Sequence, residues 1–190
     1  MPIGEILSLG SAIIWGFSVS LFKIIGNTIS PYILNPVKNT IGTILFLLTC
    51  FFVGSNHFIY ELSIYEYLLI GLSGIIGITV ADVLFLRSLN ILGTSRSSII
   101  NTIYSPMVIL LAYFILGEQL RAIHFLGGGL IIGSIIYLSA NPEKKTVDNL
   151  TQGLILGIIA YTLMALGIVI IKPILTRCAD SIYTQIWIIL

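Results

Sequence analysis

The sequence predicts an all-α fold: a polytopic transmembrane helix bundle made of one complete five-helix repeat and the start of an inverted second repeat. Three observations predict it. Asp, Glu, Lys and Arg make up 9% of the 190 residues and hydrophobic residues 57%, with a mean hydropathy of +1.07. A soluble domain carries about a quarter charged residues, which keep its apolar patches apart, so lipid is the expected solvent. The charges also fall between uncharged stretches, at 6–22, 39–60, 67–81, 97–117, 122–142 and 149–171. Each holds or nearly holds the roughly 20 residues with which a helix crosses about 30 Å of hydrocarbon. Finally, one polar stretch, 141–152, divides residues 4–140 from 153–190.

The first helix is expected near Ile6 to Ile24. Glu5 stands where a secretory signal would be positive and no small-residue cleavage pattern precedes Lys23, so the run reads as a retained span. Ser8, Ser11, Trp15 and Ser18 share one face. Trp15 is mid-span rather than at the interface where Trp is common; beside serines it either walls a cavity or fills a void between helices.

The second helix, near Tyr32 to Val53, opens with Ser30 as N-cap and Pro31 as first helical residue. Pro36 lies deeper and removes one backbone donor, which predicts a kink. Phe58, Tyr60, Tyr65 and Tyr67 crowd the next connection, as in a headgroup-level aromatic belt. The third helix, near Tyr67 to Leu86, has Gly71, Gly74 and Gly77 at every third position and Asp82 fifteen residues in from Tyr67. A charge at the bilayer centre costs about 2.5–3.5 kcal/mol, so it faces the bundle interior and pairs. Lys38, two turns inside helix two, is at a depth that allows an ion pair with Asp82. Arg87 is near the far rim and can snorkel.

In the fourth helix, near Ser97 to Leu116, Thr94, Ser98, Asn101, Thr102 and Ser105 recur at intervals of three and four and so share one side. That side is expected against other helices or a wet cavity, and Pro106 frees the carbonyl of Thr102. Helix five, near Ala122 to Leu138, carries Gly129 and Gly133; helix six, near Gly153 to Ile171, carries Gly153 and Gly157. Both are expected as close-packing faces. A seventh apolar run opens at Ser181 and stops at Leu190, too short to cross, which predicts a truncated product or a fragment of a longer protein.

Several function classes drop out. A net charge of +1 with no basic cluster beyond Lys144 and Lys145 gives no footprint for nucleic acid. Cys50 and Cys178 make neither a disulfide framework nor a zinc site. His57 and His124 have no ligand set at metal spacing, and Gly127 to Gly129 lack the Lys and Ser/Thr of a phosphate loop. No catalytic arrangement, metal or cofactor is expected. A membrane-embedded lipid-modifying enzyme would need acids, histidines or arginines clustered at one interface.

Laying residues 4–23 on 153–172 matches Gly4 with Gly153, Ile6 with Ile155, Leu7 with Leu156 and Lys23 with Lys172. The offset of 149 spans five helices and the linker, and an odd number of spans inverts the second copy, an architecture of secondary transporters.

The stretch Ser105-Pro106-Met107, then Leu116-Gly117-Glu118-Gln119-Leu120, then Gly127 to Gly133 resembles the end of the repeat in EamA-type permeases of the drug/metabolite transporter superfamily. Trp15-Gly16-Phe17-Ser18 and Lys23 look like the family's Trp-Gly-Ser start and terminal Lys, and Lys38 sits where the family often has Arg. Arg87 departs from the family's small residue. The resemblance implies a ten-helix carrier of two inverted units, exporting or exchanging small metabolites or drug-like compounds through a cavity lined by helices one, three, four and six. It places this chain in the plasma membrane of a prokaryote, moving its substrate by alternating access, with a homodimer or a missing second half completing the cavity.

The site expected is Ser11, Trp15, Ser18, Asp82, Ser98, Asn101, Thr102 and Ser105 around that cavity, with Asp82, the only deep acid, as proton site and Lys38 as its partner. The alternative is a non-transporting helix bundle that docks on a partner subunit. The basic residues lean mildly toward an external N-terminus.

Overall fold

The computed structural model describes residues 3–53, 63–120, 122–140 and 149–177. All regular structure among them is helical: α1 (Ile3–Ile25), α2 (Pro31–Val53), α3 (Ile64–Ser73), a π-helical segment (Gly74–Val80), α4 (Ala81–Leu92), α5 (Thr94–Asn101), α6 (Tyr104–Leu116), α7 (Ala122–Ala140) and α8 (Leu150–Arg177). Four helical stretches are long and apolar enough to cross a membrane: Ser8–Ile25, Ile64–Leu92, Thr94–Leu116 and Leu150–Arg177. The last three are called here the third span, the fourth span and α8. Large apolar side chains such as Phe17, Phe51, Phe114 and Leu130 are exposed, as a skin that meets lipid rather than water requires. The protein is an all-α membrane bundle. The run from Ser181, Cys178, Phe58, Tyr60 and the linker up to 148 lie outside the described residues.

Local chemistry sets the element boundaries. Ser30 accepts from the backbone N–H groups of Ile33 and Leu34 as α2 begins at Pro31, and α2 continues as a helix through Pro36. Ser63 caps α3 with Glu66 in a reciprocal capping box. Gly93 alone joins the third and fourth spans, at φ 80°, which a side chain would strain. Gly117 ends α6 in the left-handed conformation, returning its N–H to Tyr113.

Two elements differ from expectation. The fourth helix is not one uninterrupted face: α5 ends at Asn101 and α6 begins at Tyr104. Thr102 and Ile103 bond back to Ile99 and Ile100 in tightened i→i−3 turns. Pro106 is the cause, because it has no N–H for the Thr102 carbonyl and its ring crowds that oxygen. The third span carries the π segment, where Ala81 bonds to Ile76, five residues back.

The core forms around α8, which runs antiparallel to the third span. Arg177 reaches Glu66 at one end, Gly167 meets Gly77 in the middle, and Gly153 meets Leu92 at the other end. A Cβ on Gly167 would lie 2.9 Å from the Gly77 Cα, and one on Gly157 2.8 Å from the Ser88 Oγ. Backbones this close let serines bond across: Ser73 Oγ donates to Gly167 O at 2.9 Å and Ser88 Oγ to Gly153 O at 2.8 Å. Lipid gives helices no hydrophobic reason to associate, so such small-residue contacts carry the association. The expectation for Gly77, Gly153 and Gly157 therefore matches, but Gly71, Gly74, Gly129 and Gly133 have nothing within 4 Å of an added Cβ. α1 is tied on by Lys23, whose Nζ donates to Asn90 O at 2.7 Å, and Asn90 Nδ2 donates to Gly26 O at 3.1 Å. The ammonium thus sits on the carbonyls that end α4, the negative end of its dipole.

Two membrane faces follow. At the proximal face α1 begins and the third span starts, and α6 and α8 end there with Glu66–Arg177 and Glu118–Lys172 pairs, both at 2.5 Å. The distal face holds the Lys23–Asn90 clamp, Gly93 and the start of α8. α1 and α8 therefore run in opposite directions.

Candidate functional site

Polar groups inside a lipid-facing bundle concentrate where α2 meets the third span. Lys38 is ion-paired with Asp82, and both side chains are largely buried. One turn earlier on α2, Asn35, fully buried, donates from Nδ2 to Thr79 O at 3.0 Å and toward Ile78 O at 3.5 Å. These carbonyls belong to the end of the π segment, where the change of hydrogen-bond register leaves backbone acceptors in need of outside donors. Asn39 Nδ2 donates to Asn35 Oδ1 at 3.2 Å. Arg87 reaches the Tyr32 hydroxyl at 3.3 Å, which answers how a charge at a small-residue position is held.

Beside this network lies an open cavity of about 570 Å³, a surface groove rather than an enclosed pocket, lined by Tyr32, Asn35, Asn39, Thr40, Thr43 and Thr79 together with the apolar Pro36, Ile44 and Val83. Asn39 and Val83, the neighbours of Lys38 and Asp82 in sequence, both line it. Its amides and hydroxyls can hold a small polar molecule, and the ion pair next to it is the one deep charged group among the described residues able to exchange a partner for a proton or a cation.

A second cluster joins four helices. Trp15 of α1 stacks on Phe85 of α4 with ring centroids 6.2 Å apart, and Phe85 contacts Tyr161 of α8 at 5.8 Å. The Tyr161 hydroxyl has the buried Ser97 of α5 as side-chain hydrogen-bond neighbour. Helices one, three, four and six meet here, but Phe85, Ser97 and Tyr161 are packed against one another rather than lining open space.

The expected site residues divide accordingly. Asp82 and Lys38 are brought together, and Trp15 lies one aromatic ring from the helix that carries Asp82. Ser11, Ser98, Thr102 and Ser105 are exposed, and Ser18 and Asn101 are half-buried. Ser18 donates to Ile14 O, Ser98 to Thr94 O and Thr102 to Ile99 O, so these hydroxyls satisfy themselves on their own helix. Among the described residues they do not enclose a pocket with Asp82.

Sequence reading missed Asn35, Asn39 and Thr43, although their spacing of four along α2 is the same signal used for the fourth helix. Tyr161 and Ser97 carried no sequence signal, because their partners are remote in the chain. No group of three or more His, Cys, Asp or Glu that could hold a metal occurs among the described residues.

Residues 2–140 match the family model of the EamA-like transporter family. No curated protein and no solved structure matches the chain.

Proposed function

Because the chain belongs to the EamA-like transporter family, a family of membrane transporters, we propose that it moves small polar metabolites or drug-like compounds across the membrane by alternating access. The Lys38–Asp82 pair beside the α2 cavity carries this reading. A charged pair inside a membrane bundle is expensive to keep and marks an ion or substrate path.

In this reading Asp82 exchanges Lys38 for a proton or a cationic group of the substrate, and the amides of Asn35 and Asn39 orient the remainder. Ser11, Trp15, Ser18, Ser98, Asn101, Thr102 and Ser105 form the facing wall once that wall is completed. Residues 4–140 act as one five-helix unit and 153–190 as the opening of an inverted second, joined by the 141–152 linker. A second copy, or further helices, completes the cavity, and the plasma membrane of a prokaryote is the expected site of action. The open face of α7 that carries Gly129 and Gly133, each with nothing within 4 Å of an added Cβ, supports such a packing partner.

The test is efflux of a panel of cationic, zwitterionic and neutral fluorescent compounds from cells or proteoliposomes containing the full chain. Asp82→Asn should abolish proton-driven movement while the protein still reaches the membrane. Unchanged efflux in Asp82→Asn would remove Asp82 from the mechanism.

A further inference from the structure

The third span holds one residue more than its seat on α8 requires. It is bonded to α8 towards both ends, Ser73 Oγ to Gly167 O and Ser88 Oγ to Gly153 O. These bonds are 15 residues apart on the third span (88 less 73) and 14 apart on α8 (167 less 153). Between them lies the π segment, Gly74–Val80, after which the Ala81 N–H reaches back to Ile76 O, five residues away. A bond that reaches back five residues instead of four takes in one extra residue without the extra step of rotation. The surplus residue is therefore absorbed in the π segment, immediately before Asp82.

That surplus decides which way Asp82 faces. An α-helix turns about 100° per residue. Were the span uninterrupted from Ser73 onward, every later side chain would stand about 100° further round, and Asp82 would take the direction that Val83 now has. Val83 lines the open cavity beside α2, whereas Asp82 is buried and paired with Lys38.

The change of ladder is answered from α2. Asn35, 2% exposed, donates from Nδ2 to Thr79 O at 3.0 Å and toward Ile78 O at 3.5 Å, and its Oδ1 accepts from Asn39 Nδ2 at 3.2 Å. Hydrocarbon offers such carbonyls no donor of its own. Asn35 is one turn before Lys38 on the same helix, so this contact also fixes α2 against the third span next to the ion pair.

We propose that the inserted residue and Asn35 together aim Asp82. The π segment turns the carboxylate from the cavity wall to Lys38, and Asn35 is the positioning residue that holds the segment in that register. This deepens the reading of Asp82 as the proton site, but it is tested on stability rather than on efflux, so each fails without the other.

The experiment uses the full chain in detergent. The coupling between Lys38 and Asp82 is read from the unfolding of Lys38→Met, Asp82→Asn and the double variant, and the cycle is repeated in altered backgrounds. In the unaltered chain the coupling should be about 100-fold or more in the unfolding equilibrium constant. With Asn35→Leu, similar in size but without a donor, it should fall to about twofold, the limit within which independent sites add. Asn35→Gln keeps the donor and should retain more of the coupling than Asn35→Leu. Deleting Ile78, whose side chain is 53% exposed, removes the surplus residue. That chain should still fold, with ordinary helix between its two serine bonds, and keep the coupling; the same deletion should restore the coupling to Asn35→Leu. If Asn35→Leu alone does not fold, folding and coupling of the combined variant decide. Unchanged coupling in Asn35→Leu would make its amide a stability contact only and overturn the assignment. So would loss of folding or of coupling on deletion of Ile78, which is the outcome for a helix with no residue to spare.

Discussion

Removing one member of the Lys38–Asp82 pair should do more damage than removing both. The two side chains are 24% and 12% exposed, so each charge has lost most of its water, and deleting a partner leaves the other charge uncompensated. For fully buried pairs that loss is about 3–5 kcal/mol. Lys38 keeps a quarter of its surface and a flexible stem, so Asp82→Asn should fall near about 3 kcal/mol. Lys38→Met should cost at least as much, because the stranded carboxylate is the more buried of the two. The double variant should cost less than either single one, so it should recover at least about 3 kcal/mol relative to the sum of the single effects, the upper end of the coupling expected of groups in direct contact. Acidification should rescue only Lys38→Met, since the carboxylate sheds its charge by taking a proton and an ammonium cannot lose its charge that way. The assay is denaturant or thermal unfolding of the four proteins in the same detergent. Additivity within about 0.5 kcal/mol would mean that the two charges do not meet, and the site built on them would be wrong.

The glycine seam makes a contrast within one residue type. Gly167→Ala puts a Cβ 2.9 Å from the Gly77 Cα and 3.2 Å from the Ser73 carbonyl, backbone atoms that cannot rotate away, and should cost about 1–3 kcal/mol in unfolding assays. Gly129→Ala has open space and should be neutral or stabilise by up to about 1 kcal/mol through helix propensity; the reverse order would contradict the seam. Glu118→Lys should destabilise by under about 1 kcal/mol, because both partners of the Glu118–Lys172 pair are well exposed. Adding Lys172→Glu should restore it, an effect that vanishes in about 1 M salt; no restoration would argue against the pair. Hydrogen–deuterium exchange should be faster over residues 35–43 of α2 than over 153–167 of α8, because the first borders a cavity and the second a packed seam. Equal protection would count against the cavity.

The spans were legible because lipid imposes one rule on every residue of a span, and a run without Asp, Glu, Lys or Arg reports that rule directly. The depth argument also brought Lys38 and Asp82 to a common level, since helix rise is fixed and a deep acid needs a partner. What periodicity does not report is which neighbour a face meets. The hydroxyls of Ser18, Ser98 and Thr102 share faces as their spacing requires, yet each bonds a carbonyl on its own helix, a choice open to any Ser or Thr in a helix. The π segment is similarly silent: Gly74-Ile-Ile-Gly-Ile-Thr-Val80 reads as ordinary helix, and only the amide of Asn35, about 40 residues away in the chain, reveals that its carbonyls are answered from outside.

Two kinds of joint hold this bundle, and they tolerate motion differently. Where α8 meets the third span, contact is backbone on backbone at Gly77 and Gly167, with Ser73 and Ser88 bonded across. Sliding α8 by one residue would drive a side chain into the facing main chain, so this joint resists displacement through the steepest part of the packing potential. Where α2 meets the third span, contact is made by Asn35 and Lys38, groups on side chains that can rotate and whose bonds any ligand of matching polarity can replace. A rearrangement driven by a small polar substrate can be worth no more than that substrate's differential binding to the two states. Replacing an amide or ammonium contact falls within that range, whereas unseating a glycine seam does not. Movement in this chain is therefore expected between α2 and the third span, with α8 and the third span travelling as one body.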